Sequence, residues 1–244
     1  MSAAETGADA RILWRMACGQ PRHGDHAARL QAFYAPQAAH YDAFRERLLR
    51  GRGELIDKLE IGKGMRVVEL GCGTGSSLDR MGPRAQLCAS IQLVDLCPAL
   101  LAIARQRATG HNNVEVIEAD ATRWQPPAPV DRVFLSYALT MIPDWEAAIA
   151  NAVGMLKPGG RLGVVDFHIP SSGGAFASGF WRRWFAHDGV HLSAAHLPTL
   201  LSHLPDAWTD ERRTPLPYLS GLQAPYYLYV GRRAEAAKSV SVAR

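Results

Sequence analysis

The sequence predicts an α/β protein built around a mostly parallel sheet. Three observations indicate this class: short apolar segments rich in Val, Ile and Leu recur after Met65, helix-like segments alternate with them, and a glycine-rich turn follows the first apolar segment. Strands that alternate with helices form βαβ units, and near-continuous apolar strands are typical of a sheet covered on both faces. The 244 residues suffice for one large domain with an appendage.

The first sixty or so residues are predicted to be helical, because glycine- and proline-containing turns separate three helix-like segments there. These segments are Ala8–Cys18, His26–Tyr34 and Gln37–Leu59. We therefore divide the chain into an N-terminal helical cap or lid, a core domain with an insertion near residues 168–206, and a flexible tail without an apolar pattern. The three parts are residues 1–61, 62–232 and 233–244.

The core is predicted to contain five buried strands and two later ones. The five are residues 65–70, 91–95, 114–119, 131–137 and 161–167. Helices are predicted at Pro98–Ala108, with proline at an early position, and at Trp145–Leu156, with Asp144 as N-cap and K-P-G-G as its stop. The later strands, near 208–213 and 226–232, have no long helix between them, which favours antiparallel pairing at an edge.

The segment V-V-E-L-G-C-G-T-G-S-S-L carries the strongest local signal. Glu69 ends the first strand, and Gly71, Gly73 and Gly75 follow at alternate positions. Such glycines let the backbone turn tightly and leave N–H groups near a helix N-terminus. A dinucleotide-binding turn requires G-x-G-x-x-G, whereas Ser76 follows Gly75 here. The acid before the turn favours a cationic ligand without phosphates, and a tight turn without a ligand is the alternative.

Two further acids follow the next two strands. Asp95 ends the second strand and is placed to accept hydrogen bonds from ribose hydroxyls, and Asp120 follows the third and is placed to accept from an exocyclic amine. Each acid taken singly is equally well a solvated helix cap. Three acids at the carboxyl ends of three successive strands predict a ligand site, because that rim is where open α/β sheets bind ligands.

The motif E-L-G-C-G-T-G, together with L-K-P-G-G before the fifth strand, resembles the class I S-adenosylmethionine-dependent methyltransferases over roughly residues 62–231. The resemblance implies a Rossmann-like fold of seven strands with the last one antiparallel. It also implies that S-adenosylmethionine is the cofactor, with its methionine part at Glu69 and the glycine turn, its ribose at Asp95, its adenine at Asp120, and its sulfonium near the end of the fourth strand. The implied cofactor-binding residues are Glu69, Gly71, Cys72, Gly73, Gly75, Asp95, Leu96, Asp120, Ala121 and Ser136. Tyr41, in the motif H-Y-D-A-F, is expected to close over the cofactor as part of the lid.

Several classes of partner are disfavoured. Methylases of planar nitrogens in DNA or protein amides resemble one another in an Asn/Asp-Pro-Pro-Tyr run after the fourth strand, and this chain has L-S-Y-A-L-T-M-I-P-D-W. The net charge of +4 comes without a run of five basic residues, so no nucleic-acid partner is predicted. The four cysteines form no C-x-x-C pair, which predicts a reduced, cytoplasmic protein without a metal site. No apolar run is long enough to span a membrane, and we predict no signal peptide.

A long segment after the fifth strand, Phe167–Leu192, carries many aromatic residues and two arginines. Its i, i+3 and i+4 spacings allow five aromatic residues to share one face of a helix, namely Phe176, Phe180, Trp181, Trp184 and Phe185. Such a helix either packs against the core or lies at a membrane surface with its arginines near lipid phosphates. The sequence leaves both interpretations open.

Three segments resemble the betaine-lipid N-methyltransferases. They are F-Y-A-P-Q-A-A-H-Y-D-A-F-R-E-R-L-L-R-G-R, W-F-A-H-D-G-V-H-L-S-A-A-H-L-P and P-Y-Y-L-Y-V-G-R-R. The resemblance implies trimethylation of the homoserine amine of diacylglyceryl-homoserine, and a cytoplasmic protein associated peripherally with the inner face of the membrane. A phospholipid N-methyltransferase and a quinone or small-molecule methyltransferase remain alternatives, since the cofactor motifs fit them equally.

An amine acceptor must lose a proton before it attacks a methyl group, and its quaternary product suits aromatic faces. The candidate catalytic residues are His187, His191 and Tyr137. The candidate substrate residues are Tyr34, Arg50, His168, Trp181, Trp184, Asp188 and Tyr226.

Overall fold

The computed structural model describes residues 25–35, 48–169, 192–215 and 223–235. The predicted helix Ala8–Cys18 and the aromatic residues 176–185 lie outside these ranges. Among the described residues the helices are α1 (His26–Tyr34), α2 (Arg52–Lys58), α3 (Ser77–Met81), α4 (Pro83–Leu87), α5 (Pro98–Arg107), α6 (Trp145–Met155) and α7 (His196–His203), with a short 3₁₀ turn at Leu139–Met141. The strands are β1 (Arg66–Leu70), β2 (Ser90–Asp95), β3 (Val114–Glu118), β4 (Val130–Ser136), β5 (Leu156–Phe167), β6 (Ala207–Pro215) and β7 (Gln223–Arg232).

The strands form one seven-stranded sheet in the order β3-β2-β1-β4-β5-β7-β6. Strands β1 to β5 pair in parallel, and β7 pairs antiparallel with both β5 and β6. The predicted fold, a mostly parallel sheet with its last strand antiparallel, is confirmed. The strand order reverses between β1 and β4, and the crevice at the carboxyl ends of the strands beside such a reversal is where open sheets bind ligands.

Both faces of the sheet are covered, as the apolar strands predicted. Val67 and Val68 are neighbours in β1 and project to opposite faces, yet both are fully buried. Val67 belongs to a core with Leu55 of α2, and Val68 belongs to a core with Ile149 of α6. The central strands therefore form a buried scaffold, and their carboxyl ends are the part of the sheet that is open to a ligand.

The N-terminal part departs from one prediction, because Gln37–Leu59 is not a single helix. Gly51 has φ of +81°, and α2 begins only after it. A Cβ on Gly51 would lie 3.1 Å from the Tyr226 ring. The left-handed backbone at Gly51 interrupts the helix, and the apolar pattern alone did not predict this break. The other helices predicted within the described ranges are confirmed: α1 is the predicted segment, α5 begins at Pro98 as predicted, and the Asp144 carboxylate caps α6 by accepting a hydrogen bond from the Ala147 N–H at 3.2 Å.

Within the described ranges, none of the helices has the length and apolarity that crossing a membrane requires.

Candidate active site

A cavity of about 490 Å³ opens at the carboxyl ends of β1, β2 and β4. Its floor contains Gly71, Gly73 and Asp95, its far side contains Asp120, and Tyr34 of α1 lies on its roof. Three separate strand ends and a helix from the N-terminal part therefore enclose one space.

The glycine loop, Gly71–Gly75, is folded back onto the end of β2. The N–H groups of Gly71 and Cys72 both donate to the Val94 carbonyl, at 2.8 and 3.0 Å. All three glycines have positive φ, and a Cβ on Gly71 would lie less than 3.0 Å from the Ala138 Cβ. A side chain at this position would collide with the residues after β4, so glycine keeps the loop and the end of β4 in contact.

Asp95 ties the glycine loop to the start of α5. One carboxylate oxygen accepts a hydrogen bond from the Gly73 N–H at 2.8 Å, and the other accepts from the Cys97 N–H at 2.9 Å. The carboxylate lines the cavity. It thus fixes the local backbone and presents negative charge to any ligand there.

Asp120 stands at the opposite wall and is held by a local turn. Its Oδ1 accepts from the N–H and the hydroxyl of Thr122, at 2.9 and 2.8 Å. Asp120, Ala121 and Thr122 all line the cavity. These bonds orient the carboxylate before a ligand arrives.

Glu69 is buried beneath the glycine loop, where the Ser77 hydroxyl donates to it. Burial raises the pKa of Glu69 to about 8, against the opposing effects of Ser77, Arg52 and Arg80. Both guanidinium groups bind Ser76, Arg52 through Oγ at 3.2 Å and Arg80 through the carbonyl at 2.9 Å. Neither contact with Ser76 could be predicted from the sequence, since nothing in the local sequence marks Arg80 and Arg52 lies 24 residues before Ser76.

The β4 turn, residues 137–141, closes the cavity beside the glycine loop. Tyr137 is a non-glycine residue with φ of +54°, a conformation that persists only where its surroundings enforce it. Its N–H donates to the Val165 carbonyl at 2.8 Å, and its hydroxyl donates to the Arg50 carbonyl at 2.8 Å. The hydroxyl oxygen of the preceding Ser136 is buried without a hydrogen-bond partner in the described part of the chain, so it is available to a ligand.

Helix α1 covers the cavity and is anchored to α5. The Gln31 side-chain oxygen accepts a hydrogen bond from the Ala99 N–H at 3.0 Å, in the first turn of α5. Leu30 and Tyr34 are buried in a small apolar cluster with Leu100. Sequence analysis predicted a lid, and the residues of α1 that line the cavity are Ala27, Leu30 and Tyr34, along with Asp25 just before the helix.

A second group of polar residues, the β5 polar cluster, is buried where β5 ends. It consists of Asp166, His168, Tyr227 and His196. Burial raises the pKa of Asp166 to about 6 and lowers that of His168, which lies 3.5 Å from Glu211. Burial and the nearby His168 lower the pKa of His196 to about 4. Neither the His196 ring nitrogens nor the Tyr227 hydroxyl has a hydrogen-bond partner within the described ranges.

The predicted site residues fall into four groups. Those that line the cavity are Tyr34, Gly71, Gly73, Asp95, Leu96, Asp120, Ala121 and Tyr137. Those that line a smaller adjoining space beneath the glycine loop include Glu69, Cys72 and Ser136. Those that the structure places away from the cavity walls are Arg50, Gly75, His168 and Tyr226. Those outside the described residues are Tyr41, Trp181, Trp184, His187, Asp188 and His191.

Tyr226 and Gly75 have identifiable packing roles. The Tyr226 ring packs against Gly51, and a Cβ on Gly75 would lie 3.2 Å from the Ala104 side chain in α5. No group of three or more potential metal ligands occurs among the residues that the structure describes.

The cavity suits a ligand with separate cationic, ribose and adenine parts. Buried Glu69 matches an ammonium group, Asp95 and Asp120 match hydroxyl and amine donors, and the unpartnered Ser136 hydroxyl faces the space beneath the loop. These features fit S-adenosylmethionine.

Comparison with known proteins leads to the same class. Residues 67–160 match the family model described as a methyltransferase domain. A trans-aconitate 2-methyltransferase of Rhodopseudomonas palustris is 32% identical over 130 residues, which are 52% of this chain and 48% of that protein. A 2-phytyl-1,4-naphtoquinone methyltransferase of Thermosynechococcus vestitus is 27% identical over 173 residues, 68% of this chain and 76% of that protein. The chain thus spans about half the length of the first relative and three quarters of the second.

The fold has solved counterparts. Phosphoethanolamine N-methyltransferase 2 of Haemonchus contortus, in complex with S-adenosyl-L-methionine, superimposes with a TM-score of 0.70 at 13% identity, over 88% of this chain and 61% of that one. Residues 67–160 therefore match a methyltransferase domain, and the cavity residues fit S-adenosylmethionine as its cofactor.

Proposed function

We propose that this protein trimethylates the homoserine amine of diacylglyceryl-homoserine, giving the betaine lipid diacylglyceryl-trimethylhomoserine. The observation that carries the proposal is the resemblance of three segments to betaine-lipid N-methyltransferases, since all three extend outside the matched methyltransferase domain. Among their described residues, Tyr34 lines the cavity, the Arg50 carbonyl accepts from the Tyr137 hydroxyl, His196 belongs to the β5 polar cluster, and Tyr226 pairs with Phe167 at the end of β5.

In this proposal, residues of the cavity hold the cofactor in three places. Glu69, with the glycine loop above it, binds the methionine ammonium group, and Arg52 lies beside the same space as a partner for the methionine carboxylate. Asp95 accepts from the ribose hydroxyls, and Asp120 accepts from the adenine amine. The cofactor, when bound, supplies an electrophilic methyl group on a positively charged sulfur.

The protein's own contribution to the reaction is to orient the amine and to accept a proton. An amine is a nucleophile only when it is neutral. A base must therefore accept one proton before each of the three methyl transfers. Burial lowers the pKa of His168, and its side chain lies away from the cavity walls, so it is the weaker candidate base. His187 and His191 are the other candidate bases and lie outside the described residues.

Recognition of the acceptor is proposed to combine three kinds of contact. Arg50 meets the homoserine carboxylate, the aromatic residues Tyr34 and Trp184 receive the developing quaternary ammonium, and Trp181 contributes to shallow insertion at the membrane surface. Because the apolar tails of the substrate stay in the bilayer, we propose peripheral association with the inner face of the membrane.

A quinone acceptor is the second candidate. It is favoured by the naphtoquinone methyltransferase, which aligns over 68% of this chain, beyond the matched domain. The apolar cavity residues Leu100, Met141 and Ile142 suit a flat apolar ring.

Expression in a host that makes no betaine lipid separates these candidates. The host would carry this chain with and without an enzyme that makes diacylglyceryl-homoserine, and total lipids would be analysed by mass spectrometry. We expect a gain of three methyl groups on that lipid only when both proteins are present. Unmethylated lipid alongside a folded protein that binds S-adenosylhomocysteine would contradict the lipid assignment. It would not contradict the proposed cofactor site. A Gly71→Ala variant, which perturbs the cofactor loop, serves as the inactive control.

A further inference from the structure

We propose that Asp166 is a positioning residue that holds the β4 turn in the shape required for cofactor binding. Asp166 lies one residue before the end of β5 and is fully buried. It does not line the cavity, so its effect on the ligand must pass through the turn.

The Asp166 carboxylate is bound to the β4 turn by paired contacts. Its Oδ2 accepts from the Thr140 N–H at 3.1 Å, and its Oδ1 accepts from the Thr140 hydroxyl at 2.8 Å. Oδ1 also accepts from the Phe167 N–H at 2.8 Å. A neutral carboxyl group has a proton in place of one acceptor position, so only the ionised form accepts all of these bonds fully.

The residues on both sides of Thr140 in the β4 turn line the cavity, so a restraint on Thr140 also restrains the cavity wall. Tyr137, Ala138 and Met141 line the cavity, and Thr140 lies between the last two. Ala138 is also in contact range of the glycine loop, because it is the residue that a Cβ on Gly71 would strike. Loss of the Asp166–Thr140 bonds would therefore release the part of the cavity wall that the β4 turn forms and weaken its contact with the glycine loop.

The surroundings of Asp166 contain four other titratable groups. Tyr227 pairs directly with Asp166 across β5 and β7, and Glu211 pairs with Tyr227 from β6, so the three side chains share one face of the sheet. His168 lies two residues further along β5 on the same face, and His196 of α7 lies close enough to His168 to lower its own pKa. Within the described part of the chain, the hydrogen bonds to the carboxylate come from Thr140 and Phe167 and not from these four groups.

The test uses paired variants and a probe that needs no acceptor. Affinity for S-adenosylhomocysteine would be measured by calorimetry for the whole protein, together with thermal unfolding. Thr140→Val removes the hydroxyl and keeps the shape, whereas Thr140→Ser keeps the hydroxyl. We expect Thr140→Val to weaken binding about tenfold and Thr140→Ser less than about threefold, because hydrogen bonds to charged groups are among the stronger ones.

A pH series with Asp166→Asn separates positioning from general loss of structure. The asparagine resembles the protonated acid, so wild-type affinity should exceed that of the variant about tenfold near pH 7.5 and approach it near pH 5.5, on either side of the pKa of Asp166. Glu69 and the two histidines titrate in both proteins, so the ratio of the affinities isolates Asp166.

Two results would overturn the proposal. One is equal binding by Thr140→Val and Thr140→Ser, both folded. The other is a ratio of wild-type to Asp166→Asn affinity that stays constant with pH. If Asp166→Asn fails to fold, the threonine pair still decides. Because the probe is a cofactor analogue, failure here leaves the lipid assignment untouched, and failure of the lipid assignment leaves this result intact.

Discussion

Replacement of Gly71 by alanine tests the geometry of the glycine loop most severely. Gly71 has φ of +72°, and a Cβ there would lie less than 3.0 Å from the Ala138 Cβ. The left-handed conformation costs an L-residue about 1 to 2 kcal/mol. Overpacking of a close contact adds about 1 to 3 kcal/mol, so the free energy of unfolding should fall by about 2 to 5 kcal/mol.

Gly64→Ala is the matched control. Gly64 has φ of +75°, and a Cβ there would find no heavy atom within 4 Å, so this variant carries the conformational cost without the collision. Denaturant unfolding of both variants separates the two terms. Calorimetry with S-adenosylhomocysteine should show weaker binding for Gly71→Ala only, since Gly71 lines the cavity and Gly64 does not. Equal loss of stability in the two variants, with unchanged binding in both, would refute the reasoning.

Three other predictions follow from the charges of the site. Burial raises the pKa of Glu69 to about 8, so binding of the S-adenosylhomocysteine ammonium group should release a proton from Glu69 near pH 7. The affinity for S-adenosylhomocysteine should therefore rise from about pH 6 to about pH 8. Calorimetry in buffers of different ionisation enthalpy should show this proton release in wild type and not in Glu69→Gln. Asp95→Asn should weaken binding at least about tenfold in the same assay, because its amide presents N–H groups to the Gly73 N–H or the Cys97 N–H, and unchanged affinity would contradict this role. Burial lowers the pKa of His196 from 6.5 to about 4 in the folded protein, so the protein loses stability as the pH falls below about 6.5 and the unfolded chain takes up a proton. Between about pH 7 and pH 5, the free energy of unfolding in urea should therefore fall by about 2 kcal/mol less in His196→Phe than in wild type. Equal falls in the two proteins would argue against a buried neutral histidine.

The sequence predicted, for physical reasons, which strand-end residues meet around the cavity. Alternating glycines and acids at strand ends are local signals, and β-strand register places their carboxyl ends at one rim. Gly71, Asp95 and Asp120 accordingly meet around one cavity. Residues separated by up to 49 positions in the sequence could therefore be predicted to lie close together, because parallel strands place their carboxyl ends at the same edge of the sheet.

The remainder depended on contacts that no local pattern encodes. Gly51 lies against Tyr226 in β7, and Arg52 approaches Ser76 because α2 lies beside α3. Tyr137 was predicted as a catalytic residue, whereas the structure shows its hydroxyl donating to the Arg50 carbonyl. That bond gives the hydroxyl a structural partner, and a role of this residue in catalysis stays a prediction.

Asp166 also illustrates the limit of sequence patterns. In the sequence it is one polar residue in an apolar strand, V-V-D-F, and nothing nearby indicates its partner. Its partner Thr140 lies 26 residues earlier, in the turn after β4. Only the parallel pairing of β4 with β5 places the two side by side.

The most direct test of the central claim is methylation of the proposed lipid by the purified protein. Diacylglyceryl-homoserine in mixed micelles would be incubated with S-adenosylmethionine, and the lipid products would be resolved by mass spectrometry over time. The account predicts successive mono-, di- and trimethylated species that end as the trimethylated lipid. No methylated lipid, from a preparation that binds S-adenosylhomocysteine and methylates a demethylated quinone, would contradict it.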